Sequence, residues 1–186
     1  MSSPGQRHKQ RVLAMQGAEQ AACSGMATGA VADSLHLQLI ALEQDIVRLR
    51  KLARIGDRVN MKRDELMPKY RPYVERYLAA VSESGEPYQN ELFQRLIIWA
   101  FDVGDFDAGI AWAELAITQG QRTPANIKRD WAHFVADTVL EWAEKQAAEG
   151  HAVEPWFSRV FDKVRNDWRL NERITAKWFK AAGCLL

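Results

Sequence analysis

Asp102, Asp105 and Asp107 fall within six positions of the stretch IIWAFDVGDFDAGIAWAELAI, residues 97–117, with apolar side chains on both sides. Three carboxylates this close are the kind of donor set that holds Mg²⁺ for cutting a phosphodiester, because a divalent metal activates water and stabilises the departing oxygen. The same residues also read as a tight turn between two helices. Ile97, Ile98 and Phe101 give one helix an apolar face, and Phe106, Ile110, Ala113 and Ile117 give one to the next. Gly104 supplies the left-handed conformation that ends many helices. Asp105 then caps the second helix, and Asp107 sits in its first turn, where the helix dipole favours a carboxylate. Asp102 is left at a solvated helix end. A metal nuclease needs inward-facing carboxylates from several elements, usually with a Lys, His or Glu to help activate water. The spacing therefore favours the turn, and Asp102, Asp105 and Asp107 stand as catalytic candidates only if this chain cuts DNA itself.

Other reactive groups are sparse. His8, His36, His133 and His151 have no metal-ligand spacing. No GxxxxGK loop is present to cradle a nucleotide, so ATP hydrolysis is not expected here. No GxSxG appears, and neither Cys23 nor Cys184 lies in a nucleophile motif. The faces carrying Trp131, Trp142, Trp156, Trp168 and Trp178 read as core and interface before base-stacking platforms. No cofactor is implied, with Mg²⁺ needed only if the aspartates cut DNA.

Basic residues are the other group with chemistry to offer. The net charge of +1 hides an asymmetry: residues 48–76 hold ten basic side chains against four acidic, whereas residues 84–120 hold one, Arg95, against six acids. Such a basic stretch is a footprint for a polyanion or an acidic partner. Arg50, Arg54 and Arg58 recur every four residues, a ridge along one helix face that Lys62 and Arg63 extend. A second cluster, Arg7, His8, Lys9 and Arg11, falls early in a helix predicted from SPGQ at 3–6, where Ser3 caps, Pro4 opens and Gln6 completes a capping box. Cations oppose the dipole there, so an anionic partner would account for them; a frayed, solvated terminus accounts for them equally.

The elements that carry these residues are all helical. The predicted first segment, 1–32, is the basic helix followed by CSGMATGAVADS, a flexible linker by composition. The second, 33–83, opens at Asp33 with a long helix in which Leu35, Leu39, Leu42, Ile46 and Leu49 form a coiled-coil-like seam. Gly56 weakens it, Pro68 is expected to close it near Leu66, and a shorter helix follows at about 70–82, ending by Gly85. The third, 84–186, reads as stacked αα-hairpins with helices near 88–103, 106–119, 125–148, 155–167 and 171–182. No stretch alternates as a strand, so the fold class is all-α.

At 186 residues, 47% hydrophobic and 26% charged, the chain has the composition of a soluble globular protein. It has no run near the roughly 20 apolar residues needed to span a bilayer. It has no signal-like N-terminus, and its two isolated cysteines suggest a reducing compartment, so the cytoplasm is the default location and no membrane contact is expected.

SPGQRHKQRVLA (3–14), MKRDELMPKYRPYVERYL (61–78) and WAFDVGDFDAGIAWAELAITQG (99–120), followed by RTP at 122–124, together resemble the small terminase subunit of contractile-tailed phages. That family is often labelled the terminase endonuclease subunit. The order and spacing match over residues 1–145, and residues 125–186 match poorly. The resemblance implies recognition of the packaging site on double-stranded viral DNA, a ring-like homo-oligomer, and delivery to a large, ATP-hydrolysing terminase subunit in the host cell cytoplasm. The family label also assigns cutting of cohesive ends, which makes a metal-dependent endonuclease the alternative. A second alternative is a helical adaptor that binds only protein, its basic ridge meeting an acidic surface such as 84–120. The residues themselves support a helical binding protein without a visible active site; with the resemblance, the favoured expectation is a non-catalytic DNA-recognition subunit in which the 3–22 helix and the ridge hold phosphates.

Overall fold

In a computed structural model of the chain, residues 35–185 are described. Regular structure among them is entirely helical, as the sequence predicts, with no strand. The order is α1 (35–51), α2 (Ile55–Met61), a π-helical turn (Lys62–Leu66), α3 (Met67–Ser84), α4 (Glu91–Val103), α5 (Phe106–Thr118), α6 (Trp131–Ala148), α7 (Trp156–Asn166) and α8 (Glu172–Leu185). The chain divides into two compact units, Met1–Val47 and Arg48–Leu186. Arg7, His8, Lys9 and Arg11, with the predicted N-terminal helix and linker, lie outside the described residues.

Of the first unit, residues 35–47 are described, and all are helical. Leu35, Leu39, Leu42 and Ile46 are less exposed than Leu37, Ile40 and Val47.

In the second unit the expected single helix from Asp33 to Leu66 is interrupted. Leu52–Arg54 leave the helical conformation, and α2 starts anew at Ile55. The Arg58 guanidinium Nε–H donates to the Leu52 carbonyl at 2.7 Å, satisfying an acceptor that the end of α1 leaves open. The helix is also not closed near Leu66. It runs through Pro68 and Pro72 to Ser84 and ends at Gly85. A proline inside an α-helix removes one donor and crowds the carbonyl four residues earlier. The π turn resolves this: the Met67 N–H reaches back five residues to the Lys62 carbonyl, which widens the turn just before Pro68. Pro68 then occupies the first turn of α3, where its missing N–H costs little.

The core forms where α3 to α8 pack. Leu66, Tyr70 and Val74 meet α4, which buries Leu92, Phe93, Leu96, Ile97 and Ala100. Helices α4 and α5 approach closely because Gly109 has no side chain; a Cβ there would lie 3.0 Å from the Phe101 ring. That ring is held edge-on by Phe106 and Phe134. Phe106 continues into a cluster with Trp142 and Trp156, and Trp178 stacks with Phe157 between α7 and α8. Trp131 and Trp178 are almost fully buried, in line with reading the tryptophan faces as core.

A buried polar network ties the α3–α4 connection to the end of α5. The Gln121 side-chain amide donates to Tyr77 Oη and to the Tyr88 carbonyl, both at 2.6 Å, while its oxygen accepts from the Asn90 N–H at 2.9 Å. Gln94, also buried, donates to Gln89 and Gln121. Helix α6 starts at Trp131, six residues after the expected 125, because the Asp130 side chain caps it by accepting from the His133 N–H. Thr123 holds the preceding loop by donating toward the Ile127 and Arg129 carbonyls.

Candidate nucleic-acid interface

The turn that carries the three aspartates is built by local chemistry. Gly104, at φ 82°, closes α4 with its own N–H on the Phe101 carbonyl, and the Asp105 N–H bonds the Ala100 carbonyl. This paired arrangement satisfies two helix-end acceptors at once. Asp105 Oδ1 accepts from the Ala108 N–H at 3.1 Å and caps α5.

Each of these carboxylates also has a long-range partner. Asp102 Oδ2 pairs with Lys62 Nζ at 2.6 Å, and Arg63 donates to the neighbouring Val103 carbonyl. Asp105 Oδ2 faces Arg71 at 3.4 Å, whose guanidinium also lies over the Trp112 ring. Asp107 Oδ1 accepts from Trp156 Nε1 at 3.0 Å. Asp102, Asp105 and Asp107 thus answer to the π turn, α3 and α7 respectively. Among the described residues, no three His, Cys, Asp or Glu side chains come together as a metal-holding group. As folded, the three aspartates do not fit a shared Mg²⁺.

The basic ridge is not one helix face. The break at Leu52–Arg54 leaves Arg50 on α1 and puts Arg54 at the start of α2, with Arg58 a turn further on. Arg50, Arg54 and Arg63 are exposed. Arg58 is committed to the Leu52 carbonyl and Lys62 to Asp102, so these two build the scaffold that presents the others. Arg48, beside them, makes a two-point ion pair with Glu65.

One residue absent from the expected interface belongs near it. Arg95 of α4 is half-buried, and burial presses its guanidinium below the ordinary arginine range. Glu91 and Asp102 act against that shift, while the charge of Arg50 adds to it. Arg50 and Arg95 are therefore near enough to feel each other's charge. The signal in the sequence was Arg95 standing as the single cation of an acidic segment.

The site is a set of exposed arginines on a helical frame beside a carboxylate turn, in an all-helical protein. Residues 39–173 match the phage small terminase subunit family, and the chain belongs to it. A protein of Haemophilus phage HP1 named "Probable terminase, endonuclease subunit" is 39% identical over 147 residues, covering 79% of this chain and 51% of that protein. The "Terminase, endonuclease subunit" of Escherichia phage P2 is 24% identical over 186 residues, all of this chain and 72% of that protein. The chain thus spans about half the length of the HP1 relative. No solved structure matches it. No helix among the described residues is long and apolar enough to cross a membrane.

Proposed function

We propose that this chain recognises double-stranded viral DNA at the packaging site, assembles into a ring-like homo-oligomer, and delivers the DNA to a large, ATP-hydrolysing terminase subunit in the host cytoplasm. The observation that carries the reading is that the family match spans the basic stretch 48–76, where Arg50, Arg54 and Arg63 stand exposed. Arginine suits this role because its planar fork of donors fits phosphate oxygens. Repeated weak arms in one ring would raise affinity through effective concentration. The reading requires no cofactor. Native mass spectrometry with and without a packaging-site duplex tests it. A single oligomeric species that shifts by the mass of one duplex supports it, and a monomer that ignores DNA removes it.

The names of the two relatives favour a second reading, in which the chain itself cuts cohesive ends with Mg²⁺. Purified chain with Mg²⁺ and cohesive-end duplex, without the large subunit, separates the two. Cleavage lost in a folded Asp105→Ala/Asp107→Ala variant but kept in Arg50→Ala would establish the nuclease; unfolding of the aspartate variant favours the turn, and intact duplex leaves cutting to another protein.

A further inference from the structure

We infer that the cleft between α6 and α8 is a second contact for the phosphodiester backbone of DNA, separate from the face carrying Arg50 and Arg54. The inference rests on the DNA-binding reading above and adds residues to it.

Arg129, His133 and Asp137 step along the α6 side at intervals of four, and Asn171, Arg173 and Lys177 face them from α8 and its cap. Together they line a cavity of about 300 Å³. Its walls hold three cationic side chains against one carboxylate. Arg129 is paired with Asp137, which offsets its charge and leaves Arg173 and Lys177 as the uncompensated cations of the cleft. Arg173 and Lys177 are exposed and form no ion pair among the described residues, so their charge is available to an incoming anion.

Hydrogen bonds tie the two sides of the cleft together. His133 Nδ1 lies 2.8 Å from Asp130 Oδ1, and the Asn171 backbone N–H donates to His133 Nε2 at 3.4 Å. With Nε2 accepting, the ring proton sits on Nδ1, and the imidazole bridges the starts of α6 and α8. The Asn171 side chain caps α8 by accepting from the Ile174 N–H at 3.0 Å. Arg173 and Lys177, one turn apart in α8, are therefore presented from a pinned helix end.

A second cavity of about 610 Å³ shares Arg129 and has Arg122 and Lys128 on its wall, with Asp130 as its one carboxylate. Two cationic hollows sharing one arginine suit a chain of regularly spaced, fixed anions. A DNA backbone has that form, with phosphates at constant intervals and oxygens that an arginine fork can take in pairs. An acidic peptide carries its charges on longer, independently moving side chains, so its anions are less regularly spaced than those of a DNA backbone.

The test is the salt dependence of duplex binding by the full chain, read by fluorescence anisotropy for wild type, R173Q/K177Q and R50Q/R54Q. Each lost phosphate contact lowers the slope of log Kobs against log salt by about 0.9. The inference predicts that R173Q/K177Q flattens the slope by about 1.8, that R50Q/R54Q flattens it independently, and that charge-preserving R173K/K177R restores the wild-type slope. If R173Q/K177Q keeps the wild-type slope while R50Q/R54Q loses it, this inference falls and the DNA-binding reading stands. If R173Q/K177Q binds DNA normally but fails to bind the large subunit, the cleft is a protein interface and the inference is overturned. If wild type binds no duplex at any salt, both fall together.

Discussion

Lys62 and Asp102, forty residues apart, meet at 2.6 Å and join the π turn to the last turn of α4. The pair links the two features that gave the sequence its chemical interest. It takes one lysine out of the basic ridge and one carboxylate out of the acidic turn. Asp102 on this reading is a scaffold residue, and its removal would release a cation beside Arg50, Arg63 and Arg95.

Asp102→Ala therefore tightens DNA binding. Loss of a partly exposed ion pair costs stability up to about 1 kcal/mol, and a cation freed for phosphate gains up to about fivefold in affinity. Anisotropy with a packaging-site duplex at low salt, beside a urea melt, checks both. A fall in affinity would make Asp102 a contributor to DNA contact or chemistry.

Asp105→Ala loses the α5 cap and lowers stability by about 1 kcal/mol, within a range of about 0.5–2. Asp105→Ser restores most of it, because a hydroxyl can also accept from the Ala108 N–H. Urea denaturation of the two variants reads the difference. Equal losses would show that the charge facing Arg71, and not the cap, is what matters.

Gly109→Ala is destabilising despite the better helix propensity of alanine. The new methyl meets the Phe101 ring at 3.0 Å, and Phe106 and Phe134 block the ring's retreat. Overpacking of this kind costs about 1–3 kcal/mol. A midpoint in urea at or above wild type would mean that α4 and α5 separate easily.

Stability should fall in alkali through Tyr77. Burial is the main reason that its hydroxyl titrates above the ordinary tyrosine range, with the Tyr88 charge adding and the bond to the Tyr88 carbonyl opposing. A raised folded value means that the folded state holds the proton more tightly than the unfolded one. The contribution is therefore intact below about pH 10 and is lost as pH rises from there through the folded value. Tyr77→Phe starts less stable, because Gln121 loses a partner, and its stability declines less steeply above that pH. Parallel decline in both proteins would assign the alkaline loss to other groups.

What the sequence disclosed was set by distance along the chain. Gly104 and Asp105 were legible because a glycine end followed by an aspartate cap is chemistry within a few residues. Lys62–Asp102 and Asp107–Trp156 were not, because no local pattern marks partners forty or forty-nine residues apart. Pro68 misled for a physical reason: a π turn absorbed the strain that normally ends a helix. The spacing of Arg50, Arg54 and Arg58 likewise implied an unbroken helix that the bend at Leu52–Arg54 interrupts. Arg173 and Lys177 of α8 were not legible as a site, because the cavity they share with Arg129 depends on how α6 and α8 pack.

The proposed function has this chain hold DNA through cationic side chains on a helical frame. Its most direct test is the dissociation constant for a packaging-site duplex measured from about 50 to 200 mM salt. If Arg50, Arg54 and Arg63 each engage a phosphate, affinity drops roughly 40-fold per chain across that range. An affinity that stays flat, or an absence of binding at the lowest salt, would contradict the account.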